Sequence, residues 1–241
     1  MKQLYLDGSN KDCEAIEFIR EHEPPEGYFL GFSGGKDSVV LYDLTEKSGV
    51  KFQAYYSATG IDPPEIVLFI KVYYPDVIFL HPKLNFFDGI QKKGVPTRQM
   101  RWCCDTLKKE PAKHIPLKHR LMGVRAEESF LRRNRGQINT YHKNINYHPI
   151  FNWLEWEIWD YIESNNLPYC RLYNEGFDRI GCVICPFINS SPWKLKQHKE
   201  RWPKIYAAFE RAVLTSEKFK DTPWVLDNWY KNRKLNYEVE V

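Results

Sequence analysis

Four short apolar runs, each bounded by turn-forming residues, alternate with segments of helical periodicity in this chain of 241 residues. The runs lie at Tyr28–Phe32, Lys51–Ser57, Asp76–Leu80 and Leu121–Val124. The run Tyr28–Phe32 predicts a buried strand, and the other three runs predict further strands. Since strands that alternate with helices form parallel sheets covered on both sides, we expect a doubly wound, mainly parallel α/β fold.

Composition and patterning exclude several classes of protein. A net charge of +4 is too small to indicate nucleic-acid binding by bulk electrostatics. The longest apolar stretch, Ile66–Ile70, ends at Lys71 and is too short to cross a bilayer, and the first residues lack the apolar core of a secretory signal. We therefore expect a cytoplasmic protein that makes no contact with a membrane and keeps its thiols reduced.

The segment Ser33–Ser38, with the sequence SGGKDS, lies between the first predicted strand and a predicted helix. Glycine lets the backbone approach an anion closely, and a helix N-terminus offers free N–H groups and a favourable dipole. Lys36 can neutralise phosphate charge, while Asp37 can help to hold Mg²⁺ or cap the helix. The segment predicts a phosphate-binding loop, although its spacing is not that of the ATPase P-loop. A simple Gly-Gly turn with a polar cap is the alternative.

Four of the six cysteines form an adjacent pair and a Cys-x-x-Cys motif: Cys103, Cys104, Cys182 and Cys185. In a reducing compartment such a set indicates metal binding rather than disulfides. Thiolates suit an iron–sulfur cluster and also a four-cysteine zinc site, and unliganded core cysteines are the third interpretation. We interpret Cys13 and Cys170 as small buried residues, with a sulfur-carrying thiol at Cys170 as the alternative.

The phosphate-loop sequence resembles the PP-loop of ATP pyrophosphatases, which have the adenine nucleotide α-hydrolase-like fold. Within that superfamily the chain is similar to the phosphoadenosine-phosphosulfate (PAPS) reductase family, which includes the ATP-binding subunit of ATP sulfurylase and the DNA phosphorothioation proteins of the DndC type. The resemblance covers most of the chain and rests on four further segments. These are Thr59–Asp62, Gly123–Ser129 with Arg132, Pro149–Trp153 and Leu172–Cys185.

This resemblance implies roles for particular residues. It implies that Lys36, Asp37 and Arg125 act in catalysis, and that the cysteine pair and the Cys-x-x-Cys motif together ligate a [4Fe–4S] cluster, as a similar set does in bacterial adenosine-phosphosulfate (APS) reductases. The residues that it assigns to nucleotide binding are Phe32, Ser33, Gly34, Gly35, Lys36, Asp37, Ser38, Gly123, Arg125 and Arg132. The implied cofactors are the cluster, ATP and Mg²⁺.

Two features differ from a sulfonucleotide reductase. Those enzymes carry a catalytic cysteine in a C-terminal Glu-Cys-Gly-x-His motif, whereas no cysteine follows Cys185 here, so the thiol that would attack the sulfate sulfur is missing. Lys36 also suits ATP better than APS or PAPS. The chain is therefore interpreted as an ATP-dependent iron–sulfur enzyme of sulfur transfer, which adenylates an acceptor with release of pyrophosphate before sulfur is inserted. The alternatives are an APS/PAPS reductase whose thiol comes from elsewhere, and a non-catalytic nucleotide-sensing subunit.

Basic residues cluster in two further places. Arg133 and Arg135 follow Arg125 and Arg132, and such a group can hold the phosphates of a nucleotide or of a nucleic acid; a solvated, salt-bridged surface is the alternative. A second group mixes basic and aromatic residues, which suits either nucleic-acid binding by stacking or packing of the tryptophans on the core. It consists of Trp193, Lys194, Lys196, His198, Lys199, Arg201 and Trp202.

We predict that residues 1–190 form the PP-loop nucleotide-binding domain with the iron–sulfur site, and that residues 191–241 form a helical C-terminal extension. The expected small-molecule partner is ATP or a sulfonucleotide. The expected macromolecular partners are a sulfur donor such as a cysteine desulfurase, a nucleic-acid acceptor, and a second copy of the chain in a homodimer.

Overall fold

The structure is a computed structural model that describes residues 10–219, 222 and 224–231. Its strands are β1 (Tyr28–Gly31), β2 (Phe52–Ser57), β3 (Ile78–Leu80), β4 (His119–Met122), β5 (Ile138–Tyr141) and β6 (Asn144–Tyr147). Its α-helices are α1 (Lys11–Glu21), α2 (Lys36–Ser48), α3 (Pro64–Tyr73), α4 (Phe86–Lys93), α5 (Glu110–Lys113), α6 (Phe130–Arg133), α7 (Glu155–Ser164), α8 (Pro192–Arg201), α9 (Pro203–Leu214) and α10 (Trp224–Tyr230). A π-helix spans Cys104–Lys109, and short 3₁₀ helices span Ala126–Glu128, Arg171–Tyr173 and Ile188–Ser190.

The strands form a sheet in the order β3-β2-β1-β4-β6-β5. Strand β1 pairs in parallel with β2 and with β4, and β4 pairs in parallel with β6. Strand β5, at one edge, is antiparallel to β6. This arrangement confirms the predicted mainly parallel α/β fold. The predicted helical character of the C-terminal part is also confirmed over α8, α9 and α10.

The chain forms two compact units. The first comprises the chain up to Tyr56 together with Pro64–Phe79 and Ile115–Ile180, and the second comprises Ser57–Pro63, Leu80–His114 and the chain from Gly181 onward. The phosphate loop lies in the first unit and the four cysteines lie in the second. The predicted domain boundary after residue 190 stays a prediction.

Helix α2 lies at the centre of the first unit. Buried residues line nearly all of its circumference, among them Val39, Val40, Leu41 and Leu44, and both α1 and α7 pack against it. Burial of each such aliphatic side chain stabilises the fold by roughly 1.5–3 kcal/mol. This packing fixes the position of the helix N-terminus, which follows β1 through the phosphate loop.

Aromatic side chains dominate the core of the second unit, where α9 packs against α4 and α8. Phe209 lies between Phe86, with ring centroids 6.3 Å apart, and Trp229, with centroids 4.7 Å apart. The Trp229 indole N–H donates to the carbonyl of Pro96 at 2.8 Å, which satisfies its buried polar group. None of the described helices is both long and apolar enough to cross a membrane.

Two details of the sheet differ from the sequence predictions. Strand β4 ends at Met122 rather than Val124, because the Val124 N–H turns back and donates to the Met122 carbonyl at 2.8 Å. The hairpin of β5 and β6 was not predicted. Its strands, Ile-Asn-Thr-Tyr and Asn-Ile-Asn-Tyr, lie at the sheet edge and are mostly polar, so they lack a strong apolar alternation.

Candidate functional site

The phosphate loop lies where the order of the parallel strands reverses. The chain passes from β1 outward to β2 and β3, whereas β4 returns to the other side of β1. Gly31 of β1 pairs with Met122 of β4, so the segments that follow these two strands leave the sheet side by side. Ligands of open α/β sheets bind at such a switch point, beyond the carboxyl ends of the strands.

Two of the predicted nucleotide-binding glycines occupy positions that exclude a larger residue. Gly34 has a φ of +71°, and a Cβ there would lie 2.8 Å from Cδ1 of Ile66. A Cβ on Gly123 would lie 3.1 Å from the carbonyl oxygen of Asp37. A side chain at position 34 would therefore collide with Ile66 of α3, whereas one at position 123 would press on the backbone of the phosphate loop.

The hydroxyl groups of the loop hold its backbone in shape. The oxygens of Ser33 and Ser38 lie 3.1 Å apart, the Ser38 hydroxyl donates to the Gly35 carbonyl at 2.8 Å, and the Gly35 N–H donates to Ser33 Oγ at 3.3 Å. The first N–H of α2, that of Lys36, donates to the hydroxyl of Tyr173 at 2.9 Å. Tyr173 was not predicted as a site residue, although it lies in a segment that carries the family resemblance.

The ammonium group of Lys36 is buried among acceptors. Its Nζ lies 3.4 Å from Oε1 of Glu155 and 3.8 Å from Oδ2 of Asp37, and it donates to the carbonyl of Asp178 at 3.5 Å. The Glu155 side chain is half exposed, so it is the partner that a bound anion can most readily replace. Lys36 thus supplies a preformed positive charge at the start of α2, where an anion is already favoured.

Arg125 connects the segment after β4 to the phosphate loop. Only 2% of the residue is exposed, and its Nε and NH1 groups donate to Asp37 Oδ1 at 2.5 Å and to Glu127 Oε2 at 2.6 Å. Burial alone would lower the pKa of Arg125, but the negative charges of the two carboxylates raise it. The guanidinium group is therefore held in place and charged.

The carboxylate of Asp37 does not offer free oxygens to a metal ion. One oxygen accepts from Arg125 and the other faces Lys36. Mg²⁺ binding through Asp37 stays a prediction, and the arrangement of this side chain does not by itself fit it.

Two further predicted nucleotide-binding residues have different surroundings. Phe32 is buried and packs edge-on against Tyr42, with ring centroids 5.5 Å apart, so only its backbone can meet a ligand. Arg132 is half-buried and pairs with Glu128. The pKa of Arg132 is lowered chiefly by burial and, to a smaller extent, by the positive charges of Arg179 and Arg135. Positive charge is therefore concentrated in this part of the first unit.

The second unit brings the four cysteines within electrostatic reach of one another. Cys103 donates a hydrogen bond to Cys104, which raises the pKa of Cys103; the same bond and the charge of Lys108 lower the pKa of Cys104 to about 6. The charges of Cys182 and Cys185 also act on Cys103. In Cys182 and Cys185, burial raises the pKa of the thiols.

The surroundings of Cys182 are polar. Its sulfur lies 3.6 Å from the Thr59 hydroxyl oxygen and 3.9 Å from a carboxylate oxygen of Asp62. The thiolate form of Cys182 and the carboxylate of Asp62 raise the pKa of Lys108, so this amine would stabilise Cys182 when it is ionised. Hydrogen-bond donors of this kind commonly surround thiolate-ligated metal groups.

The local backbone explains how the adjacent cysteines share one region. Cys104 begins the π-helix, in which the N–H of Glu110 donates to the carbonyl of Asp105 five residues earlier. Such a widened turn changes the angle between successive side chains and occurs often at functional sites. The chemistry of the four thiols fits an iron–sulfur or zinc group. Over the described residues, however, no three His, Cys, Asp or Glu side chains are arranged to hold a single metal ion.

Of the remaining candidates from the sequence, some are buried and others are exposed. Cys170 is buried, which raises the pKa of its thiol and does not suit a sulfur carrier, whereas Cys13 is exposed. In the basic and aromatic group of the C-terminal part, His198 and Trp202 are buried while Trp193 is exposed. Trp202 therefore follows the core-packing interpretation, and Trp193 alone of the two tryptophans faces solvent.

Comparison with known proteins adds a family and a fold. Residues 27–187 match the family described as the phosphoadenosine phosphosulfate reductase domain. An uncharacterized protein of Methanocaldococcus jannaschii is 32% identical to this chain. The matched region covers 85% of this chain and 45% of that relative. Adenosine 5'-phosphosulfate reductase 2 of Bacillus subtilis is 27% identical over 66% of this chain and 72% of its own length. The fold resembles that of PAPS reductase from Candida auris in its phosphate complex, with a TM-score of 0.56. The two chains are 20% identical, and the match covers 75% of this chain and 96% of that one.

Proposed function

Because the chain belongs to the phosphoadenosine phosphosulfate reductase domain family, we propose that it binds ATP with its phosphates on Ser33–Ser38 and uses it in sulfur transfer. In this proposal an acceptor oxygen is adenylated, pyrophosphate is released, and sulfur then replaces the activated oxygen. The chain spans only about half the length of the first relatives that it matches, so the acceptor and the sulfur donor are also proposals.

The buried ammonium group of Lys36 is the observation that carries this proposal. It lies at the first residue of α2, at the strand switch point, in a loop where Gly34 leaves no room for a side chain. A triphosphate can replace Glu155 as its partner, and the charge-assisted hydrogen bonds that result are about twice as strong as neutral ones. An APS molecule has a smaller charged chain to place along the same loop, so Lys36 favours ATP.

The proposed first step forms one bond and breaks one. An acceptor oxygen attacks the α-phosphorus of ATP, the bond from that phosphorus to the bridging oxygen breaks, and pyrophosphate leaves with the bonding electrons. Lys36 and the N–H groups of the loop stabilise the charge that develops on the phosphate oxygens, while Arg125 and Asp37 fix the distance between the loop and the segment after β4. The acceptor proton passes to solvent.

The second step transfers sulfur without a net redox change. Hydrosulfide, released by an external sulfur donor, attacks the acceptor atom that bears the adenylated oxygen; the bond between that atom and the oxygen breaks, AMP leaves with the bonding electrons, and the proton of hydrosulfide passes to solvent. We propose that the cysteine pair and the Cys-x-x-Cys motif would hold a [4Fe–4S] cluster, which would supply an iron site for the incoming sulfur. Four thiols and the charged Lys108 in the second unit support this assignment.

A second candidate function is reduction of APS or PAPS to sulfite. It is supported by the family and by the names of curated relatives such as adenosine 5'-phosphosulfate reductase 2 of Bacillus subtilis. The nucleophilic thiol would then have to come from Cys13, from another chain, or from a small thiol, because Cys170 is buried.

An anaerobic titration separates the two candidates. The iron-loaded protein is titrated calorimetrically with ATP, APS and PAPS in the presence of Mg²⁺, and AMP and sulfite are then assayed. Preferential binding of ATP with release of AMP supports adenylation. Preferential binding of APS or PAPS with release of sulfite overturns it in favour of the reductase, and tight ATP binding without turnover under any condition indicates a nucleotide-sensing subunit.

Two variants test the role of Lys36. Lys36→Met should weaken ATP binding by at least about 10-fold, since it removes a charge-assisted contact worth roughly 1.5–3 kcal/mol. Glu155→Gln is the matched control, because it removes the competing carboxylate and should strengthen ATP binding or leave it unchanged. Loss of ATP binding in Glu155→Gln would contradict the proposed exchange of partners.

A further inference from the structure

We infer that the first unit carries a surface for single-stranded nucleic acid, formed by Phe130, Leu131, Arg133, Arg135 and Arg179. We call it the α6 surface, after the helix that carries its first three residues. The inference deepens the proposed function, on which it rests, by naming the class of acceptor; its evidence, however, is independent of the phosphate loop.

Two large apolar side chains of the α6 surface face solvent. Phe130 is 72% exposed and Leu131 is 73% exposed. They are the two large apolar residues in an otherwise polar segment that spans residues 127–137, and an exposed aromatic ring in such a segment is available for stacking. Their backbone is held in place, since Ser129 Oγ accepts from the Arg132 N–H at 3.2 Å and the Arg133 N–H donates to the Ser129 carbonyl at 3.0 Å. The side chains are therefore presented outward by a defined turn.

Three arginines of the same surface lack an acidic partner. Arg133, Arg135 and Arg179 are exposed, and in the part of the chain that the structure describes none of them is paired with a carboxylate. By contrast, the neighbouring Arg125 and Arg132 are bound to Glu127 and Glu128. The charges of Arg179 and Arg135 act unfavourably on Arg132. A bound polyanion would relieve this repulsion, so the charge of the surface complements a phosphate backbone.

The combination of free arginines with an exposed aromatic ring favours nucleic acid over an acidic protein. Guanidinium groups bind phosphate in a bidentate way, and unpaired bases stack on aromatic rings with little dependence on sequence. Phe130 and Arg133 are three residues apart in α6, and Arg135 follows two residues later. This spacing suits an aromatic ring that stacks on a base beside arginines that bind phosphates. A carboxylate-rich peptide would use the arginines and leave Phe130 without a partner.

The position of the surface suits an acceptor. The segment that carries it begins at Arg125, which binds Asp37 of the phosphate loop, and is tied to the first unit again where the Ala126 N–H donates to the Phe151 carbonyl at 2.8 Å. The α6 surface and the phosphate loop thus belong to one compact unit and are connected by a short, hydrogen-bonded segment.

Fluorescence anisotropy with labelled single-stranded RNA and DNA 20-mers of mixed sequence tests the inference. Arg133→Gln/Arg135→Gln should weaken binding and reduce the slope of log K against log salt by about 1.4, since each single-strand phosphate contact contributes about 0.7. Phe130→Ala should weaken binding by about 5-fold or more, because a stacked base contributes roughly 1–3 kcal/mol. These side chains are exposed, so melting temperature and ATP affinity should not change.

Matched controls come from α9 in the second unit. Lys204→Gln/Arg211→Gln removes the same charge, and Leu214→Ala removes an exposed apolar side chain. Loss of binding in the α6 variants with retention in these controls supports the inference. Equal losses in both sets, no binding by the unmodified chain, or equally effective competition by poly-L-glutamate of matched charge would overturn it.

The same measurements separate this inference from the proposed function. A chain that binds ATP but neither RNA nor DNA overturns the α6 surface and leaves ATP use in place. A chain that binds single strands through the α6 surface but binds no ATP supports the surface and overturns the proposed function.

Discussion

The guanidinium group of Arg125 donates from Nε to a carboxylate oxygen of Asp37 at 2.5 Å, although the two residues lie 88 positions apart in the chain. This bond joins the segment after β4 to the loop after β1. Both residues are on the sequence-derived list of catalytic and nucleotide-binding candidates. In the structure their ion pair holds the phosphate loop against the segment that follows β4.

Loss of this pair should destabilise the fold. Asp37→Asn leaves a buried guanidinium group with weaker partners and is expected to lower the free energy of unfolding by roughly 1–3 kcal/mol, as measured by urea denaturation. Glu127→Gln, at the other partner of Arg125, is the matched control. Its side chain is 44% exposed against 21% for Asp37, so a loss below about 1 kcal/mol is expected. Equal losses would contradict this ranking.

A side chain at position 34 should disturb the phosphate loop. Gly34→Ala and Gly49→Ala both place alanine at a positive φ, of +71° and +73°, which costs about 1–2 kcal/mol each. Only the Cβ at position 34 meets Ile66, so Gly34→Ala should lose about 1–3 kcal/mol more than Gly49→Ala. Denaturation measures both losses. A Cβ at position 34 would also lie 2.9 Å from Cγ1 of Ile66 and 3.0 Å from Cδ1 of Ile70. Ile66→Ala, which removes both Ile66 atoms, should therefore reduce the extra loss in a double-mutant cycle with Gly34→Ala, and strict additivity of the two losses would place its origin elsewhere.

Stability should fall in mild acid because of His148. Burial, together with the charges of Arg135 and Arg132, lowers the pKa of His148 below its ordinary value of 6.5, despite the contact between its Nδ1 and the Gly136 carbonyl at 3.0 Å. Below pH 6.5 the unfolded chain binds this proton and the folded chain does not, so the free energy of unfolding decreases as pH falls from there toward the lowered pKa.

A pair of histidine variants checks that dependence. Urea denaturation between about pH 5 and pH 8 should show a shallower loss of stability in His148→Asn than in the unmodified chain. His142→Asn, at an exposed position, should keep the original pH dependence. If His148→Asn also keeps it, the titrating group is a different one.

Retention of iron should depend on a defined subset of cysteines. Cys182→Ser or Cys103→Ser in anaerobically reconstituted protein should lower bound iron, acid-labile sulfide and visible absorbance to less than about half, since iron–sulfur clusters generally require four thiolates. Cys170→Ser and Cys13→Ser remove a buried and an exposed thiol outside the set and should retain the signal. Tight zinc binding without sulfide would favour the zinc alternative over the cluster.

The sequence contains most of what positions the phosphate loop. Apolar runs between turn residues mark the strands, and glycines and a lysine between a strand and a helix form a local pattern, so β1, β2, β3 and the loop were predicted close to their observed bounds. The predicted burial is confirmed for β1. The β5–β6 hairpin was not, because its polar edge strands are stabilised by pairing with a neighbour rather than by their own composition.

What the sequence alone determined is the local part: the doubly wound pattern of strands and helices, the glycines, serines and lysine of Ser33–Ser38 between a strand and a helix, and the placement of four thiols in two short motifs. Tertiary structure decided which groups meet. It brought the Tyr173 hydroxyl to the Lys36 N–H across 137 positions. It paired Arg125 with Asp37 but gave Arg133 no carboxylate partner among the described residues, and it buried Trp202 while exposing Trp193. These outcomes depend on packing between distant segments, and neither spacing nor composition contains that information.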